Sequence, residues 1–125
     1  EERKVIKSWV DWLRKMQDKY DFMMFRQDLP GFKVPAEGYW DGWARINTET
    51  QEGGIIGIFR QGSVETEKTV KIRGLDNGKL YTVKKARGEE ILYKLTGKEL
   101  LNDGFKVNLY KKYDGELFEV ELIGK

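Results

Sequence analysis

Phe105-Lys106-Val107-Asn108-Leu109 and, after a Tyr-Lys-Lys-Tyr-Asp-Gly connection, Glu116-Leu117-Phe118-Glu119-Val120-Glu121-Leu122 alternate apolar with polar residues. Successive side chains of an extended chain point to opposite faces. Phe105, Val107 and Leu109 therefore share one face, as do Phe118, Val120 and Leu122, while Lys106, Asn108, Glu119 and Glu121 point the other way. One face buried and one face wet is the signature of antiparallel strands on a core. On this reading Glu119 and Glu121 lie in solvent.

The same period runs upstream as far as Pro35. Val70 and Ile72 alternate with Lys71 and Arg73, and predicted strands cover Tyr39–Ile46, Ile55–Arg60, Lys68–Arg73, Leu80–Lys85, Ile91–Leu95, Phe105–Leu109 and Glu116–Leu122. Gly53-Gly54, Asn77-Gly78 and Asp114-Gly115 offer the positive-φ positions of tight turns. Thr96-Gly97-Lys98-Glu99 has the form of a capping box, predicting one short helical turn through Leu100 and Leu101 that Gly104 stops.

Before Pro35 the period is helical. Val5, Trp9, Trp12, Leu13, Met16 and Tyr20 recur at steps of three and four with charged residues between them, which predicts an amphipathic helix from Val5 to Tyr20. Met23, Met24 and Phe25 extend its apolar character until Pro30-Gly31 and Pro35 exclude further helix. The predicted fold is mainly β: an antiparallel β-sandwich of about seven strands preceded by one amphipathic N-terminal helix. Residues 1–35 form the helix and linker, and residues 36–125 form the sandwich.

Composition narrows the function. The 125 residues fit one domain, and 39% hydrophobic content with 13% aromatics is enough for one core. Lysine and arginine total 23 against 21 acidic residues, interspersed along the chain, so no basic face for nucleic acid is implied. Cysteine and histidine are both absent. Disulfides, thiolate metal sites, the usual zinc sites and the Ser-His and Cys-His nucleophile pairs are thereby excluded. Carboxylate-rich calcium-loop spacing is lacking as well, so no metal or cofactor is expected. No apolar run approaches the roughly 18 residues of a membrane span, and no signal sequence opens the chain. The start at Glu1-Glu2-Arg3-Lys4, without an initiator methionine, points to an excised or processed piece.

Four constellations bear on function. Gly74-Leu75-Asp76-Asn77-Gly78-Lys79-Leu80 has only three residues between its glycines and leucine after the lysine, so it is not a phosphate loop. It reads instead as a turn leading to Tyr81, whose hydroxyl bonds back to upstream backbone as in the tyrosine corner of sandwiches. Tyr39, Trp40, Asp41 and Trp43 form the densest aromatic cluster, and aromatic faces beside a carboxylate are how proteins stack and hydrogen-bond a sugar. Alternation sends Trp40 and Trp43 to opposite faces, however, so at least one belongs to a core or an interface. Trp9, Trp12, Met23, Met24 and Phe25 exceed the apolar surface a small helix needs to dock on a sandwich, and mark either core or a face against a missing larger domain. The pairs Glu89-Glu90 and Glu119/Glu121 lack the opposed geometry of a general acid and base and read as solvated surface.

Taken together, Lys19-Tyr20-Asp21-Phe22-Met23-Met24, then Tyr39-Trp40-Asp41-Gly42-Trp43-Ala44-Arg45-Ile46, then Gly53-Gly54-Ile55-Ile56-Gly57-Ile58-Phe59-Arg60 resemble the end of α-galactosidase-like (melibiase-type) glycoside hydrolases. The segments Val70–Val83, Leu95–Leu101 and Gly104–Val107 are similar to the C-terminal sandwich of that family. The resemblance implies that helix Val5–Tyr20 is the last helix of a TIM barrel or its extension. It also implies that the sandwich braces the barrel, and that the two catalytic carboxylates lie in the barrel. No catalytic residue is expected in this chain.

The expected role is that of a noncatalytic accessory domain whose partner is the catalytic barrel of its parent chain, itself secreted or periplasmic. Carbohydrate is a second expected partner; nucleic acid and membrane are not expected. The rival expectation is a free-standing carbohydrate- or protein-binding sandwich module using Tyr39, Trp40 and Trp43 as its platform.

Overall fold

The computed structural model describes residues 2–29 and 40–123. Tyr39 and the breaks expected at Pro30, Gly31 and Pro35 lie outside the described residues. Helix α1 runs Glu2–Tyr20, and its spaced apolar residues place Trp12, Met16 and Tyr20 in a buried row. It ends where Asp21 takes φ 52° and gives its amide to the carbonyl of Gln17 at 2.8 Å, a left-handed C-terminal cap. The apolar run after it is not helix: Phe22 turns back into the core, while Met23 and Met24 project into solvent.

Eight strands follow among the described residues: β1 Gln27–Asp28, β2 Trp40–Ile46, β3 Gly53–Arg60, β4 Glu67–Val70, β5 Leu80–Lys85, β6 Ile91–Thr96, β7 Phe105–Asn108 and β8 Gly115–Ile123. Every pairing is antiparallel. Six strands form one sheet in the order β1-β2-β3-β8-β5-β6, and β4 pairs with β7 in a second. The sandwich is therefore strongly unequal. The added strand β1 pairs Gln27 with Ala44 and Asp28 with Trp43, at the edge of the large sheet.

The inner face of the large sheet carries Trp40, Ala44, Ile46, Ile56, Ile58, Tyr81, Val83, Phe118 and Val120. Val70, Phe105 and Val107 from the small sheet, with Ile72, Leu75 and Leu100 from its connections, close over them. Each such aliphatic side chain, fully buried, contributes about 1.5–3 kcal/mol relative to exposure. On the outer face, Ile55, Trp43 and Leu117 meet Trp12, Met16, Tyr20 and Phe22 in a second cluster. The layers are thus helix, six-stranded sheet and two-stranded sheet.

The capping box forms as its spacing predicts. Thr96 Oγ1 accepts the amide of Glu99 at 3.1 Å, the amide of Thr96 donates to Glu99 Oε1 at 2.9 Å, and helix α2 runs Gly97–Asn102. The Tyr81 hydroxyl accepts the upstream Asp76 amide at 3.0 Å and donates to the Gln51 carbonyl at 2.6 Å, so the corner forms as well. The turn expectation needs correction. Gly53 takes positive φ as expected, but Gly54, Gly78 and Gly115 do not: Gln51 and Tyr113 carry it just before two of the expected pairs, while Asn77-Gly78 form the centre of a turn closed by the Lys79 amide on the Asp76 carbonyl at 3.2 Å without it.

Candidate functional site

Alternation along β8 turns Leu117, Glu119 and Glu121 toward α1, which crosses this side of the sheet. Glu119 is only 7% exposed. The expectation that Glu119 and Glu121 are solvated is thus overturned for Glu119, because a strand pattern cannot register what lies above the polar face of a sheet. Tyr20 donates its hydroxyl to Glu119 Oε2, and Lys19 Nζ reaches the same oxygen at 2.8 Å. Lys19 also meets Glu121 at 2.6 Å, and Lys84 from β5 meets Glu121 at 3.2 Å and Glu119 at 3.9 Å. Asn47 adds a second clasp: its Nδ2 donates to the carbonyls of Tyr20 and Asp21, each at 3.0 Å, while its Oδ1 accepts the amides of Glu49 and Thr50. At the other end of α1, the Arg87 guanidinium sits 4.0 Å from the Trp9 ring centroid and donates to Ser8 Oγ.

This polar lock shifts its own titrations. Burial and the neighbouring Glu119 push the Tyr20 phenol upward. Burial works against the charge on Lys19, but the hydrogen bonds to Glu119 and Glu121 outweigh it and hold its pKa above 10.5. Burial likewise opposes the Glu121 charge, and the bonds from Lys19 and Lys84 outweigh it, so its pKa lies below 4.5. The depressed carboxylate adds stability that is present above its unfolded pKa and is lost as pH falls through the folded one; the raised ammonium adds stability that is lost as pH rises through its folded value. The lock therefore holds across neutral pH. We expect Trp9 and Trp12 fluorescence to report loosening of α1 below about pH 4. Glu121→Gln should remove much of that acid step, and an unchanged acid profile in this variant would count against the lock.

The other side of α1 is open. Ile6, Val10 and Leu13, at i, i+4 and i+7, are 62%, 39% and 39% exposed, and Met23 beside them is 61% exposed. Between this stripe and the sheet runs a groove of about 540 Å³, walled by Val10, Leu13, Phe22, Met23, Trp43 and Leu117 and edged by Arg14 and Arg45. Ile6 and Val10 escaped the sequence reading, although the signal was present as a second apolar series one step round the helix from Trp12 and Met16. An apolar stripe on both sides of one helix fits a helix packed between two bodies.

The structure disperses the other expected site residues. Trp40 lies in the inner core with its indole donating to the Glu65 carbonyl at 3.0 Å. Trp43 is on the opposite face, half-buried on the groove wall over Gly57, where an added Cβ would come within 2.6 Å of its ring. Asp41 is buried and accepts from Gln61 Nε2 at 2.8 Å. Of the helix group, Trp12 is buried with Trp9 edge-on to it at 6.1 Å, Phe25 is half-buried, and Met23 and Met24 are exposed. Among the described residues, no three His, Cys, Asp or Glu gather in a group able to hold a metal ion. Nor, among the described residues, is any helix long and apolar enough to cross a membrane.

No protein-family model and no curated protein sequence matches the chain. Solved structures do. The GH36 alpha-galactosidase AgaA from Geobacillus stearothermophilus superposes with TM-score 0.74 at 16% identity, over 98% of this chain and 16% of that one. The galactosidase domain of the alpha-galactosidase-sucrose kinase AgaSK gives 0.66 at 15% identity, over 97% of this chain and 15% of that one. The alpha-galactosidase AgaB from Geobacillus stearothermophilus gives 0.55 at 17% identity, over 78% and 13%. At these identities the likeness is one of fold, helix and sandwich together, and the chain spans no more than 16% of the length of these three proteins.

Proposed function

We propose that this chain is the noncatalytic C-terminal accessory domain of a larger glycoside hydrolase of α-galactosidase type, and that it docks on the catalytic barrel of its parent through the open side of α1. Residues 1–35 then serve as the end of the barrel and its linker, and residues 36–125 as the sandwich that braces it.

The observation that carries this reading is the exposed stripe Ile6, Val10 and Leu13 beside an apolar groove, on a helix whose opposite side is already pinned to the sheet. The fold likeness over nearly the whole chain, confined to a small part of much longer α-galactosidases, supports it. The catalytic carboxylates belong to the barrel on this reading, and Glu119 serves the helix–sheet junction. Hydrogen exchange along Ile6–Leu13, measured in this chain alone and in its parent chain, tests it; slower exchange in the parent is the expected result.

A further inference from the structure

Six strands faced by two cannot be covered along their whole inner side. On β5 the inward series Tyr81, Val83 continues into Lys85, which pairs directly with the inward Phe118. On β8 the inward series Val120, Phe118 continues into Glu116, which pairs directly with the inward Ile58. Two positions that are apolar elsewhere on their strands therefore carry opposite charges, and they do so where a cleft of about 380 Å³ opens between the sheets. That volume lies within the range of small-molecule sites, roughly 300–1,000 Å³.

Aromatic and amide groups border the same cleft. Phe118 lines it, Tyr93 packs 5.3 Å from Phe105 with its hydroxyl fixed on the Lys106 carbonyl at 3.0 Å, and Asn108 and Tyr110 line the β7 side. Tyr110 is 79% exposed, so the core does not account for its ring. The charges balance: Lys85 acts on Glu116, whose carboxyl burial pushes up, and Lys106 pairs with Glu67 at 3.6 Å. An anion would find no excess of positive charge here, whereas a neutral polyhydroxylated ring would find an aromatic face with donors and acceptors beside it.

We propose that this cleft binds a neutral saccharide of one or two pyranose rings, the Tyr110 ring covering its apolar face and Lys85 and Glu116 meeting its hydroxyls. This site is on the inner side of the large sheet, away from α1, and does not depend on the docking reading.

The test is a titration of the ¹⁵N-labelled chain with melibiose, maltose and cellobiose, with sodium phosphate as the anionic probe. Saturable amide shifts at Lys85, Tyr93, Asn108, Tyr110 and Glu116 are expected for at least one disaccharide and not for phosphate. Tyr110→Ala should weaken that binding roughly three- to tenfold with the rest of the spectrum unchanged. The proposal is overturned by the absence of saturable shifts with all three disaccharides up to about 50 mM. Shifts confined to the Trp43 groove, a response to phosphate alone, or undiminished binding by Tyr110→Ala would overturn it equally.

Discussion

Tyr20→Ala is expected to destabilise the chain by roughly 3–5 kcal/mol, the scale of emptying a buried aromatic site. The ring is buried among Trp12, Met16 and Ile55, so its removal leaves a cavity in the cluster that holds α1 to the sheet. It also takes the hydroxyl donor from Glu119, a carboxylate already 7% exposed. The two losses separate in Tyr20→Phe, which keeps the ring and deletes only the donor. That variant should cost about 1–3 kcal/mol, the penalty of leaving a buried polar group short of a partner. Urea unfolding followed by tryptophan fluorescence reads both, since Trp9 and Trp12 lie on the affected helix. A Tyr20→Phe variant as stable as the natural chain would mean that the hydroxyl bond to Glu119 contributes nothing.

Gly54→Ala should be at least as damaging. The Cβ would lie 1.9 Å from the Arg45 carbonyl oxygen and 3.0 Å from the Ile46 Cα, and both contacts are backbone. No side-chain rotation relieves such a clash, so β2 and β3 must part where Ile46 pairs with Gly54. These strands carry Trp40, Ala44, Ile56 and Ile58 of the inner core, and a loss above about 4 kcal/mol follows from opening it. The expected observation is a chain that is mostly unfolded, or aggregated, at temperatures where the natural sequence gives a dispersed amide spectrum. A well-folded Gly54→Ala chain would contradict the close approach of the two strands.

These two positions also mark the limits of what the sequence discloses. Gly54 was legible as punctuation, but as a turn; its real constraint is the neighbouring strand, which local pattern does not contain. The capping box at Thr96 was legible because it is satisfied within three residues, and the Tyr81 corner because one of its two partners, the Asp76 amide, lies only five residues upstream. Strand β1 was not, since two residues, Gln27 and Asp28, become a strand only by pairing with β2. The unequal split into six and two strands was hidden for the same reason, as alternation assigns faces and not neighbours. At the candidate site, alternation separated Trp40 from Trp43 correctly, yet it assigned Glu119 to solvent because the covering helix lies ninety-nine positions away in sequence at Tyr20. The open stripe of α1 was written in the sequence as Ile6, Val10 and Leu13, but the stronger tryptophan series masked it.

The central claim is that the open side of α1 is an interdomain face, and hydrogen exchange in the parent chain addresses it most directly. Amides of Ile6–Leu13 in the isolated chain should exchange through fraying of a helix covered on one side only, whereas those of β3 and β8 should be protected in both contexts. The account predicts that exchange across Ile6–Leu13 slows at least about tenfold when the parent barrel is present, with β3 and β8 little changed. Equal exchange of Ile6–Leu13 in the two contexts would leave that face unoccupied and contradict the docking role.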